Sequence, residues 1–306
     1  MKLTFNNFKN LLFESITSVY DAYEDILCDI FDVDDISKIT PKAYQKLLDD
    51  YENNILNEHD SSMLESATKL VWKAANKAGY NILAHHGTTK KFSEFKYGDI
   101  GFHLGTLEQA KIAGKSHEYD DPRLYPKLIM LNTAISIHNP LVINNDPETW
   151  EPEDLFSNSK KTLNRYIKKI NYANYSQEQL LEKVKVIIDN DIQNKILDIN
   201  DPFIYRDVAF LILYQFLKFS LKEILNEQEN NKKSLIVNKI KSLGYDGIKY
   251  LNLYEVDQES DEREYSYIVL DANQIKNCEV ISFKSGKIVP LEDRFNSNSN
   301  NIFENK

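Results

Sequence analysis

The sequence is poor in cysteine, glycine and proline and short of positive charge, and each scarcity narrows what it can encode. Of 306 residues only Cys28 and Cys278 are cysteine. Neither has a Cys or His at metal-ligand spacing, so neither a structural metal nor a disulfide framework is expected, and a reducing compartment fits. Nine glycines and eight prolines are too few for a collagen-like or linker-dominated chain. The 37 Lys and Arg stand against 47 Asp and Glu, a formal net charge of −10. Such a surface repels phosphate backbones and disfavours sequence-independent nucleic-acid binding. Long apolar runs are absent too. Val208 to Leu217 is the most apolar stretch, yet it holds Gln215 and ends at Lys218, so it reads as a buried helix rather than a bilayer span. Asn6, Asn7 and Lys9 interrupt the first ten residues, and no signal peptide is expected. A cytoplasmic protein with no membrane partner follows as the expectation. There is no Gly-x-Gly-x-x-Gly and no Walker loop, so neither a dinucleotide-binding Rossmann site nor a P-loop is supported.

What is present is a chain 42% hydrophobic, with 18 Tyr and 15 Phe, enough to build a core. Residues 1–60 read as acidic helices: Phe8, Leu11, Leu12, Ile16, Val19 and Tyr20 recur at helical spacing, followed by Tyr23, Ile26, Leu27 and Phe31. They form a packing module, with an antitoxin or chaperone docking face as the alternative. Ser61 or Ser62 is the expected cap of a helix stopped near Gly79. Strand patterns follow at Asn81 to His86, Ile100 to Leu104, Leu128 to Ile137 and Pro140 to Ile143. Helical spacing then returns from about Lys160 to Lys241, the last short helix capped by Ser234 and ended by Gly244. Strands close the chain at Gly247 to Tyr250, at Tyr265 to Leu270 and at Val280 to Phe283. Helices, strands, helices and strands in blocks argue for an α+β fold rather than alternating βαβ units. The expected divisions are residues 1–60, 61–157, 158–243 as a helical insertion, 244–288, and a disordered Asn- and Ser-rich tail over 289–306.

Three short clusters carry chemistry. Ala84-His85-His86-Gly87-Thr88-Thr89 puts a histidine beside a glycine at a strand end, where a ligand can approach the backbone. Gly101-Phe102-His103-Leu104-Gly105-Thr106, followed by Gln109 and Ala110, sets an aromatic pair between glycines, which suits stacking on a flat heterocycle. Gly244-Tyr245-Asp246-Gly247 leads to Asn252, Glu255 and Ser266-Tyr267, placing a carboxylate just past a strand. Each cluster alone reads as ordinary strand and turn sequence.

In order along the chain, these segments resemble the ADP-ribosyltransferases found in phage polyvalent proteins and related bacterial toxins. The likeness runs from Ala74-Ala75-Asn76-Lys77-Ala78-Gly79-Tyr80 through His86-Gly87-Thr88 with Phe92 and Phe95. It continues through Gly101 to Thr106, Leu131-Asn132, Asn139-Pro140-Leu141 and Trp150, and closes with Gly244 to Gly247, Asn252, Glu255 and Ser266 to Ile275. It covers roughly Leu70 to Phe283, apart from the helical segment.

The resemblance implies a split, bent β-core clamping NAD+ as co-substrate, with N-terminal helices, a helical insertion and no metal. His86 would bond the adenosine ribose and Gly87 the nicotinamide carboxamide, with Thr88 beside them. Phe102 or His103 would stack on the nicotinamide, Tyr119 being a further candidate. Glu255 would bond the nicotinamide ribose and stabilise positive charge as nicotinamide leaves. The chain departs from the wider His-Tyr-Glu pattern at Phe102-His103 and at Ser266, which stands where relatives place their glutamate. Glu264 is therefore the second candidate acid, and the likeness of Glu262 and Glu264 to a Glu-x-Glu motif reads as accidental. The implied activity is mono-ADP-ribosyl transfer to a protein or nucleic-acid acceptor, as a toxin or phage effector. The alternatives are an NAD glycohydrolase and a catalytically degenerate binding module. Lys160, Lys161, Arg165, Lys168 and Lys169, with Tyr166, Tyr172 and Tyr175, offer a stripe for RNA, and the insertion is the expected place for acceptor or inhibitor recognition.

Overall fold

Helix starts in the N-terminal region are set by side-chain oxygens that satisfy the first free N–H groups. In the computed structural model, which describes residues 19–90, 92–96, 99–116, 128–170, 174–195, 204–226, 231–253, 255 and 264–303, helix α1 spans Val19–Phe31 and buries Tyr23, Ile26 and Leu27. Helix α2, Pro41–Glu52, begins with the Thr40 hydroxyl accepting the Ala43 N–H. Helix α3, Glu58–Lys77, is capped by Asn57, which accepts from Asp60. Ser61 is already inside α3, its N–H bonded to the Asn57 carbonyl, so the expected serine cap gives way to an equally good cap upstream. Gly79 at φ +92° ends the helix. The apolar stripe from Phe8 to Ile16 lies outside the described residues.

Two sheets follow. The first pairs β1 (Ile82–Thr88), β3 (Ile129–Ile135) and β7 (Ile275–Asn277), all antiparallel, in the order β1-β3-β7. The second orders β2 (Phe102–Leu104), β6 (Tyr265–Val269), β5 (Gly247–Leu251) and β4 (Pro140–Ile143), with β4 parallel to β5. One isolated bridge joins them: His85 N–H donates to the Gly105 carbonyl at 2.8 Å and Gly105 N–H to that of His85 at 3.0 Å. Helix α4, Leu107–Ser116, lies directly on β1. It can do so because residue 87 is glycine: a Cβ there would fall 1.9 Å from the Ala110 carbonyl oxygen. The architecture is α+β, as expected.

The helical block begins earlier than position 158. Helix α5 covers Pro152–Ile167, with proline in its first turn and Glu153 and Asp154 favourably placed at its positive end. Helices α6 (Gln177–Lys195), α7 (Ile204–Leu211), α8 (Leu221–Leu225) and α9 (Lys232–Ser242) follow. The apolar run around Val208 is indeed buried, and it continues from α7 into a π-helical turn, Ile212–Phe216. Asn231, not Ser234, precedes α9. These helices share one core with Leu141, Ile143, Ile248, Tyr250 and Ile268 of the four-stranded sheet. No helix of the described residues is long and apolar enough to cross a membrane.

The expected strand over 280–283 is replaced by a short hairpin, β8 (Phe283–Lys284) and β9 (Lys287–Ile288). Ser285 and Gly286 turn it, both at positive φ, as a two-residue hairpin loop requires. Residues 289–303 are not the disordered tail that their composition suggested. Arg294 is fully buried and donates to the carbonyls of Val289, Glu279 and Val280 and to the Tyr23 hydroxyl. Lys276, buried, donates to the carbonyls of Ser299 and Asn301. The Ile302 side chain is wholly inside, while its N–H bonds Ser93 and its carbonyl accepts from Asn277. The Asn and Ser side chains build turns here, Asn296 capping Asn298, Ser299 capping Asn301 and Asn301 capping Phe303. Such side chains favour turns by bonding the backbone two residues on, so an order-forming pattern looks from composition like a disordered one.

Two substitutions test this packing by chemical denaturation. Ile302→Ala is expected to cost about 2–5 kcal/mol, as for other fully buried isoleucines, where a loose tail would cost nothing. Gly87→Ala is expected to cost about 1–3 kcal/mol through overpacking against α4.

Candidate functional site

The bridge between the sheets brings the first two motifs edge to edge. His86, one residue past the bridge, has its Nδ1 3.0 Å from the His103 carbonyl. A carbonyl only accepts, so this Nδ1 carries the hydrogen. The His86 ring also meets the edges of Phe92 and Phe95, at centroid distances of 6.1 and 5.1 Å, and Phe95 packs on Phe102. These aromatics wall a cleft of about 1000 Å³ that is also lined by Thr88, Lys90 and His103.

His103 has its Nδ1 3.2 Å from the Tyr250 hydroxyl and its Nε2 3.6 Å from an Asp99 carboxylate oxygen. Burial pushes its imidazole down to about 4, against the pull of Asp99, so the ring is neutral at physiological pH and presents a flat uncharged face.

Glu255 is held by the residue that starts its loop. Asn252 donates one amide hydrogen to Glu255 Oε2 at 2.7 Å and the other to Ser266 Oγ at 2.9 Å, and its Oδ1 accepts the Glu255 N–H at 3.0 Å. Ser266 passes its own hydrogen to Gln109 Oε1 at 3.0 Å. Gln109 closes the network through the Glu264 carbonyl at 3.3 Å. His86, Gly87, His103, Glu255 and Ser266 thus line one small pocket of about 140 Å³, whereas Thr88 and Phe102 face the larger cleft. Glu264 offers its carbonyl and leaves its side chain exposed. Tyr119 and Glu262 lie outside the described residues.

Several residues of the site had no role assigned from sequence. Gln109 closes a capping box with Thr106, whose N–H it accepts at 2.9 Å, and the Thr-x-x-Gln spacing signals that box. Asp146 is another such residue. It is buried, accepting the N–H of Glu148 at 3.1 Å and of Leu253 at 3.3 Å, which ties the turn after β4 to the Glu255 loop. Burial pushes its carboxyl up to about 7; the two N–H bonds oppose this, and the charges of Glu255 and Glu148 reinforce it. Asp99, Asp146, Glu148 and Glu255 together surround a further space of about 250 Å³ beside His103 and Trp150.

Within the basic stripe, Tyr166 is not available for stacking on a base. Arg165 pairs with Asp207 and lies over the Tyr166 ring. Tyr166 itself is buried, its hydroxyl bonded to Asp191 and Asp207. Tyr172 is outside the described residues, and Tyr175 is exposed with Lys183 above it.

Because the folded protein binds the Asp146 proton more tightly than the unfolded chain, that proton's stabilising effect fades as pH rises from about 4 to about 7. Asp146→Asn is expected to abolish this slope, so that wild type loses stability relative to the variant across that range. Denaturation midpoints of both proteins between pH 4.5 and 8 measure it. Compared with known protein families, curated proteins and solved structures, the chain matches none.

Proposed function

We propose that this chain is an NAD+-dependent mono-ADP-ribosyltransferase, acting on a macromolecule as a toxin or phage effector. The observation that carries the reading is the convergence of His86, Gly87, His103, Glu255 and Ser266, from three distant segments, on one pocket at the junction of two sheets. Among the described residues one isolated bridge joins the two sheets, in keeping with a split β-core.

The residues suit such a co-substrate. A cleft of about 1000 Å³ is the size that takes a drug-sized or dinucleotide ligand, and its Phe92, Phe95 and Phe102 wall suits a flat base. With Nδ1 given to the His103 carbonyl, His86 would turn its other ring nitrogen to a ribose hydroxyl. Neutral His103 suits stacking beside a pyridinium, since a cationic ring would repel it. Glu255 has Oε2 fixed by Asn252, which orients the carboxylate before the reaction. It would then accept the nicotinamide-ribose hydroxyl and stabilise the positive charge that develops as the C1′–N bond breaks, acting more strongly on the transition state than on the ground state. Ser266, at the position where relatives place glutamate, would serve as a strut for Asn252. The acceptor would be a protein side chain or a nucleobase, reached through the neighbouring space beside Asp99, Asp146, Glu148 and Glu255.

Nicotinamide release from NAD+ tests this in the presence of cell lysate as acceptor source. Glu255→Gln is expected to lower kcat by about 10²–10³ and His86→Ala to weaken NAD+ binding, while Glu264→Ala stays within about twofold of wild type. Absence of both NAD+ binding and nicotinamide release from the wild-type protein overturns the reading. Free ADP-ribose with no adduct on protein or nucleic acid by mass spectrometry turns it into a glycohydrolase.

A further inference from the structure

His85 lines the same small pocket as His86, Gly87 and Glu255, and nothing so far gives it a task. Its side chain begins a relay. Nδ1 lies 2.8 Å from Asn132 Oδ1, and Asn132 Nδ2 donates to Glu279 Oε1 at 2.7 Å. The orientation of the Asn132 amide follows from its second partner: the Glu279 carboxylate takes the NH2 end, so the oxygen end faces His85. An amide oxygen only accepts, so His85 Nδ1 must carry the hydrogen. The remaining ring nitrogen, Nε2, is therefore a bare lone pair. Burial lowers the basicity of His85 and outweighs the opposing bond to Asn132, which favours the neutral ring.

The ring is also fixed in place. His85 makes both backbone bonds of the bridge between the sheets and sits opposite Asn132 in the β1–β3 register. A group entering this pocket therefore meets a rigid acceptor at His85 and has to bring an N–H or O–H. By size, the pocket of about 140 Å³ takes one small ring with a substituent, while the cleft of about 1000 Å³ that shares His86 takes the remainder of a dinucleotide.

We propose that His85, oriented by Asn132 and Glu279, is a specificity-determining residue that selects a carboxamide over a carboxylate on the ring bound beside Glu255. The inference rests on the NAD+ reading above. A carboxamide gives His85 an N–H; a carboxylate sets lone pairs against a lone pair and leaves both groups without a hydrogen, which buried polar sites discriminate against strongly.

The test is calorimetric titration of the full chain with NAD+ and with nicotinic acid adenine dinucleotide, the same molecule bearing a ring carboxylate. Wild type is expected to bind NAD+ at least tenfold more tightly. In His85→Gln, whose amide can turn either end to the ligand, the ratio is expected to fall to about threefold or less. Asn132→Leu, which frees the imidazole to place its hydrogen on Nε2, is expected to narrow the ratio in the same direction and serves if the first variant does not fold. Equal binding of the two dinucleotides by wild type, or a ratio unchanged in the folded variants, overturns the role of His85 and leaves the NAD+ reading standing. Binding of neither dinucleotide by wild type overturns that reading and this inference with it.

Discussion

The site depends on two hydrogen bonds, those exchanged between the backbones of His85 and Gly105. Among the described residues they are the bridge between the three-stranded and four-stranded sheets. A full ladder there would close the sheets into one continuous surface and fill the space in which His86, His103 and Glu255 meet. Behind the bridge the sheets share a core of Ala84, Leu131 and Ile135 with Leu104 and Val269, so it fixes edges that the core already holds near one another. A single bridge holds the edges at hydrogen-bonding distance while allowing them to splay apart on either side. Gly105 is required at that point because a Cβ would lie 2.3 Å from Gln109 Oε1 and 3.0 Å from Ser266 Oγ. The residue that joins the sheets is therefore also the one that leaves room for the network behind Glu255.

That network converts sheet position into side-chain orientation. Asn252 donates one amide hydrogen to Glu255 and the other to Ser266, and its oxygen accepts the Glu255 N–H. Ser266 and Gln109 carry the constraint on to α4, whose first turn is itself fixed by the Thr106–Gln109 box. Buried polar groups linked in this way hold one arrangement because every alternative leaves a donor or acceptor unpaired. The Ser266 hydroxyl thus supports the amide that orients the Glu255 carboxylate on the adjoining loop.

Much of this could be read from residue order, and what could not has physical causes. Period-two segments gave β1, β3, β4, β5 and β6 to within a few residues, because each buries one face against a core. His86, Gly87, His103, Glu255 and Ser266 were named from short motifs and do line one pocket. The misses share a different origin. Asp146 and Gln109 had no role in the motifs, because theirs exists only once folding brings position 146 to 253 and position 109 to 266. Residues 289–303 looked disordered because Asn and Ser dominate composition without revealing which backbone groups they bond. The burial of Val289, Leu291, Arg294 and Ile302 shows that the segment is packed.

That C-terminal segment bears on the site through the strand it braces. Arg294 draws Tyr23 of α1 and the carbonyls of Glu279 and Val280 into one buried cluster, and Lys276 on β7 holds the carbonyls of Ser299 and Asn301. Both clamps act on the chain running from β7 to Glu279. β7 pairs with β3 beside Thr133, the residue after Asn132, and Glu279 is the far end of the relay to His85. A guanidinium that satisfies three carbonyls and a phenol in the interior is costly to remove, since each partner would be left buried and unpaired. Regions outside the motif-bearing segments, the first described helix and the last fifteen described residues, therefore set where Glu279 stands, and through Asn132 they set which nitrogen of His85 bears its hydrogen. Residues 19–31 and 289–303 thus bear on the pocket through the Glu279–Asn132–His85 hydrogen bonds rather than by lining it.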